Sequence, residues 1–131
     1  MIKLTTYTLP RPFFGYNIPI AVQSCFLRDY ASKKNLDFSL PVTEIVKENC
    51  YYMFQKKFIK KIFHIGMTSI FILPINNEDL FKKILKDIHK DTVFHFVLEN
   101  LNLKKKDLII WKNEFSSYSK LSSDYNEYVS H

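Results

Sequence analysis

The chain has 131 residues, 47% of them hydrophobic and 16% aromatic, and a formal charge of +6. That length and apolar content can build one core without disulfides or metal, which excludes a disordered chain. The longest apolar runs, Ile70 to Leu73 and Val93 to Leu98, fall far short of the roughly 18 residues a bilayer span needs.

Thr5, Thr6, Thr8, Pro10 and Arg11 interrupt the N-terminal stretch where a signal peptide would be apolar, so a cytoplasmic protein is expected. Ile2 to Leu9, rich in β-branched and aromatic residues, predicts a first strand that Pro10-Arg11-Pro12 stops. Asn17 and Pro19 supply a helix start, and Ile20, Val22, Cys25, Phe26 and Tyr30 recur at helical spacing up to about Lys34. Gln23, Arg28 and Ser32 lie off that stripe. Leu36, Phe38 and Leu40 alternate as a short strand ended by Pro41, and a loop carries Thr43 and Glu44. The next helix, over 48–62, turns Cys50, Phe54, Phe58 and Ile62 inward.

The run 66–73, closed by Pro74, does not alternate and reads as a buried central strand. Asn77 caps a helix with Glu78 and Asp79 in its first turn, and Leu80, Phe81, Ile84, Leu85 and Ile88 form its apolar stripe. A fourth strand spans 92–98, apolar apart from His95. Lys104, Lys105, Lys106 and Asp107 then lead into a last helix with Leu108, Ile109, Ile110, Trp111 and Phe115 inside. Residues 1–112 are read as a single α/β domain, and the Ser- and Tyr-rich residues 113–131 as an arm, docked or partly disordered. Strands alternating with helices predict a small doubly wound, mostly parallel four-stranded sheet with helices on both faces, of flavodoxin-like or resolvase-like topology. Ligands of such sheets gather beyond the carboxyl ends of the strands.

Gly15 and Gly66 are the only glycines, so no glycine-rich phosphate loop exists and no cofactor is expected. His64, His89, His95 and His131 form no metal-ligand spacing, and no metal site is expected. Cys25 and Cys50 are expected as free thiols. The lysines fall in sets such as Lys56, Lys57, Lys60 and Lys61, or Lys82, Lys83, Lys86 and Lys90, whose spacing places each set on the outer face of one helix. A nucleic-acid partner is therefore not expected. Seventeen of the 19 basic residues are lysine, which singles out Arg11 and Arg28 as candidate clamps for a phosphate or carboxylate. Gln23 and Tyr30 are candidates to orient a polar substrate. Glu44, His95 and Glu99 are candidate acid/base groups, and Cys50 a candidate nucleophile near a helix start. Each has a purely structural reading beside the catalytic one: a core imidazole, a loop carboxylate, a buried thiol.

The motifs Arg11-Pro12-Phe13-Phe14-Gly15, Ile18-Pro19, Val22-Gln23, Arg28-Asp29-Tyr30, Thr43-Glu44, Cys50-Tyr51-Tyr52-Met53, Leu73-Pro74, His95-Phe96 and Leu98-Glu99 resemble those of the sporadic carbohydrate cluster proteins, over about residues 7–101. The resemblance implies a bacterial role in surface-polysaccharide biosynthesis, such as O-antigen, capsule or lipopolysaccharide, with no particular reaction attached. With the candidate acid, base and guanidinium groups, it leads to the expectation of a cofactor-independent isomerase, epimerase or dehydratase acting on a sugar phosphate or nucleotide sugar, compatible with a homo-oligomer. A non-catalytic partner of a glycosyltransferase is the alternative, and a resolvase-like nucleic-acid-binding domain the third reading. The strand, arginine-bearing loop and glutamine-containing helix also resemble the start of a serine recombinase catalytic domain, although Thr8, Leu9, Pro10 and Arg11 stand where that nucleophilic serine would be.

Overall fold

Residues 2–58 and 62–130 are described by a computed structural model, the side chains of 122–130 excepted. Lys60 and Lys61, expected on a helical face, lie outside the described residues. The sheet is organised around β1 (Ile2–Thr8), whose first half pairs with β2 (Leu36–Phe38) and whose last two residues pair with β3 (Val42–Thr43), both parallel. On its other side β1 pairs with β4 (His64–Met67), which pairs with β5 (Val93–Phe96), again in parallel. A turn with Asn100 at φ 52° reverses the chain into β6 (Leu101–Lys104), the antiparallel edge. Asparagine tolerates that left-handed conformation better than most residues. Among the described residues the sheet thus has six strands, in the order β2-β1-β4-β5-β6 with β3 beside β1. The predicted α/β class and mostly parallel sheet are found, with two more strands than the sequence announces.

The two sheet faces have different covers. Tyr7, Ile65, Met67, Phe94 and Phe96 meet α2 (Tyr52–Lys57), α3 (Glu78–Leu85) and α4 (Lys105–Ser130) in the main core. Leu4, Gly66 and His95 face the opposite way, toward α1 (Ile20–Lys33), where Leu4, Tyr30 and Ala31 make a small second cluster. A Cβ on Gly66 would stand 3.0 Å from Leu4 Cδ2, so glycine lets that leucine pack across β4.

Three local expectations are corrected. The run 66–73 is not one strand: β4 ends at Met67 and Ile70–Ile72 form a 3-10 turn, because Ser69 Oγ accepts from the Phe71 amide and Glu99 accepts from the Ile70 amide. The helix expected over 48–62 is only Tyr52–Lys57 in the described residues, its amino end tied to Glu44. The buried face of α1 is Gln23, Leu27, Tyr30 and Ala31, while Val22, Cys25 and Phe26 are exposed. Gln23 sets that rotation: its amide donates to the carbonyls of Leu9 and Ile18 and accepts from the Leu9 amide, at 2.7, 2.8 and 3.0 Å. The last helix, α4, spans Lys105–Ser130 and is about 39 Å long.

Candidate functional site

Beyond the carboxyl end of β1, Leu9-Pro10-Arg11-Pro12 leads to a tight turn closed by reciprocal backbone bonds between Phe13 and Tyr16, of 3.0 and 2.9 Å. The turn places Phe14 at φ 49° and Gly15 at φ 80°. A bulky residue with positive φ is strained by about 1–2 kcal/mol. The strain holds the Phe14 ring parallel to Phe71, with centroids 4.0 Å apart, and leaves it half exposed. Phe71 is backed edge-on by Trp111 and Phe115. Next to this stack is a cleft of about 400 Å³ whose lining includes Arg11, Phe14, Glu48, Asn49, Tyr51, Asn76 and Asn77. The Arg11 guanidinium lies 5.0 Å over the Tyr51 ring and donates to the Ile45 carbonyl. Among the described residues no carboxylate forms an ion pair with it. Tyr51 is buried and donates to the Ile72 carbonyl at 2.6 Å; burial raises its phenol pKa and Arg11 partly offsets the rise.

Glu44 is buried in the fold itself. Its carboxylate accepts from Tyr7 Oη at 2.7 Å and from the amides of Ile45, Met53 and Phe54, the last two at the start of α2. Cys50 Sγ donates to the same carboxylate at 3.8 Å. Burial, followed by the Glu44 hydrogen bond, raises the Tyr7 pKa strongly. Glu99 likewise accepts from Ser69 Oγ and the Ile70 amide, at 2.8 and 2.6 Å, capping the 3-10 turn. His95 lies on the α1 face of the sheet, whereas Glu44 is bound to Tyr7 on the other. Its Nδ1 is 2.7 Å from Tyr30 Oη and its Nε2 is 2.8 Å from His64 Nδ1, while Tyr30 Oη donates to Asn102 Oδ1. One direction satisfies every group: His64 donates to His95, His95 to Tyr30, and Tyr30 to Asn102. A proton on His95 Nε2 would oppose that on His64. Burial, then the charge of His64, lowers the His95 pKa to about 4.

The sequence-selected residues therefore separate into six places. Glu44 and Cys50 share one buried network, Glu99 holds a turn, Tyr30 and His95 share a polar chain under α1, and Gln23 bridges α1 to Leu9. Arg11 alone enters the cleft. Arg28 is exposed on α1 with its guanidinium 5.4 Å over Phe38, and its neighbour Asp29 pairs with Lys33 instead.

A second feature was not marked by the sequence reading. Between α3 and α4 runs a groove of about 690 Å³ lined by Lys82, Lys83, Lys86, Lys105 and Lys112, with Glu78 and Asp79 at one end. Lys105 Nζ donates to the carbonyls of Lys86 and Ile88, and Lys112 crosses the Phe81 ring. A hollow lined by Lys112, Ser116, Ser119 and Lys120 shares Glu78 and Lys112 with this groove and Ile75 and Asn76 with the Arg11 cleft. Through these shared lining residues the groove, the hollow and the cleft adjoin as a track. The available signal was Lys104-Lys105-Lys106, because cations in the first turn of a helix oppose its dipole.

With its antiparallel last strand and long final helix, this α/β architecture is resolvase-like. The chain is similar in structure to the N-terminal catalytic domain of TP901-1 integrase, with a TM-score of 0.56 and 16% identity over 94% of this chain and 98% of that one. No family model and no curated protein sequence matches it. The likeness to an integrase domain overturns the expectation of a sugar isomerase, epimerase or dehydratase in O-antigen, capsule or lipopolysaccharide synthesis. It likewise overturns the expectation of a sugar phosphate or nucleotide sugar as partner. The physical reason for the correction is the dispersal of the acid/base groups: Glu44 and Glu99 are engaged by the backbone, and the sheet separates Glu44 from His95. Among the described residues no helix is long and apolar enough to cross a membrane.

Proposed function

We propose that this chain is a nucleic-acid-binding domain of resolvase-like fold that holds a strand along the track between α3 and α4 without cutting it. The observation that carries the reading is convergence: lysines from two helices distant in sequence line one groove, with five cations against two carboxylates. Phosphates that replace condensed counterions along such a groove supply most of a sequence-independent affinity. The likeness to an integrase domain supports a nucleic-acid partner. Strand cleavage is left out because no serine and no free threonine hydroxyl stands at the end of β1. Thr8 is buried with its Oγ1 bonded to Thr43 Oγ1 at 3.0 Å, and Leu9, Pro10, Arg11 and Pro12 follow.

Fluorescence anisotropy with a labelled 20-nucleotide single strand tests this. The triple variant Lys82→Ala, Lys83→Ala, Lys86→Ala removes three exposed cations and is expected to weaken binding at least tenfold at about 0.1 M salt. Unchanged affinity in that variant, or no binding by the unaltered chain, would reject the reading.

A further inference from the structure

We infer that the Arg11 cleft is a seat for a single unpaired nucleotide, with its base stacked on Phe14 and its phosphate held by Arg11. The inference takes its ligand class from the reading of the track as a nucleic-acid surface, and it concerns the place where that track ends.

Three features of the cleft point the same way. Phe14 is presented as a platform: its strained backbone is fixed by the Phe13 to Tyr16 turn, one ring face lies on Phe71, and the side chain is 52% exposed. Stacking a base on such a ring contributes about 1–3 kcal/mol and tolerates any base. The guanidinium of Arg11 is oriented by Tyr51 and by one bond to the Ile45 carbonyl, which leaves donors for a phosphate. Asn49, Asn76 and Asn77 bring amides that can both donate to and accept from the edge of a base. Asn77 uses its Oδ1 to cap α3 through the Leu80 amide, so its amide nitrogen remains as a donor.

The volume of about 400 Å³ suits one nucleotide and is too small for a base pair between its backbones. The hollow that shares Ile75 and Asn76 with the cleft gives a direction: phosphates of the preceding nucleotides lie along exposed Lys120, and the end or a flipped base enters the cleft. A phosphate-only site would have no use for a strained, exposed phenylalanine. A purely apolar one would not place at its wall an arginine that forms no ion pair with Glu48, the carboxylate of the same lining.

The test is calorimetric titration of the full chain with adenosine 5′-monophosphate, adenosine and inorganic phosphate, each alone. Adenosine 5′-monophosphate is expected to bind at least tenfold more tightly than either of its parts. Arg11→Gln and Phe14→Gly should each reduce that affinity at least tenfold. Glycine at position 14 relieves the positive φ, and an unchanged circular dichroism spectrum and thermal melt in that variant separate loss of binding from loss of fold. The Lys82→Ala, Lys83→Ala, Lys86→Ala variant should bind the mononucleotide as the unaltered chain does. Equal affinities for the mononucleotide and phosphate, no mononucleotide binding, or an undiminished affinity in Phe14→Gly would overturn the inference. Mononucleotide binding that survives where oligonucleotide binding fails would reject the groove reading and leave the cleft assignment standing.

Discussion

On the face covered by α2, α3 and α4 the sheet presents Tyr7, Ile65, Met67, Phe94 and Phe96; on the face covered by α1 it presents Leu4, Gly66 and His95. The first is an apolar core with one buried carboxylate inside it. The second is a thin layer to which α1 adds Leu27 and Ala31 and on which the polar bonds of Gln23 and Tyr30 orient that helix. Burial of apolar area drives the first, and hydrogen-bond geometry fixes the second. The proposed track lies over the first face, because α3 and α4 form both the lid of that core and the walls of the lysine groove.

The sharpest way to break the crowded face is Glu44→Ala. It leaves Tyr7 Oη and the amides of Met53 and Phe54 without an acceptor inside the core, so we expect a loss of about 3–5 kcal/mol in denaturant unfolding. Glu44→Gln, which keeps one acceptor oxygen, should lose clearly less. On the thin face the corresponding probe is pH. Folded His95 has its pKa lowered from 6.5 to about 4, so between those values the unfolded chain binds a proton that the folded chain does not. Stability from this group is therefore present above pH 6.5, falls as pH falls through the window, by up to roughly 3 kcal/mol, and levels off below it. His95→Gln should flatten that part of a stability-against-pH curve.

Within α1 the comparison is finer. Gln23→Leu removes three bonds to the Leu9 and Ile18 backbone and should cost about 2 kcal/mol. Phe26→Ser, at an exposed position, should shift stability by no more than about 0.5 kcal/mol. Equal losses in the two would restore the apolar stripe that the sequence implies for this helix.

That stripe shows where sequence reading stops. The helix itself, its start near Pro19 and the Asn77 cap of α3 are legible because local signals set them. The rotation of α1 is not, because a glutamine bound to a loop 14 residues away overrides hydrophobic periodicity. The 3-10 turn at Ile70–Ile72 is hidden for the same reason: its cap, Glu99, lies 29 residues downstream of Ile70. Arg11 was legible as rare chemistry at the end of the first strand. Its cleft partners Phe14, Asn76 and Asn77 come from loops whose meeting depends on the tertiary fold. The lysines of α3 read as a solvated face until α4 is laid beside them.

The central claim, that this track holds a nucleic-acid strand by its phosphates, is tested most directly by salt. Affinity for a 20-nucleotide single strand, measured across a series of sodium chloride concentrations, should fall with a log–log slope of about −3, corresponding to about four phosphate contacts. In the Lys82→Ala, Lys83→Ala, Lys86→Ala variant the slope should shrink to about −1. A slope near zero, or the same slope in both proteins, would contradict the account.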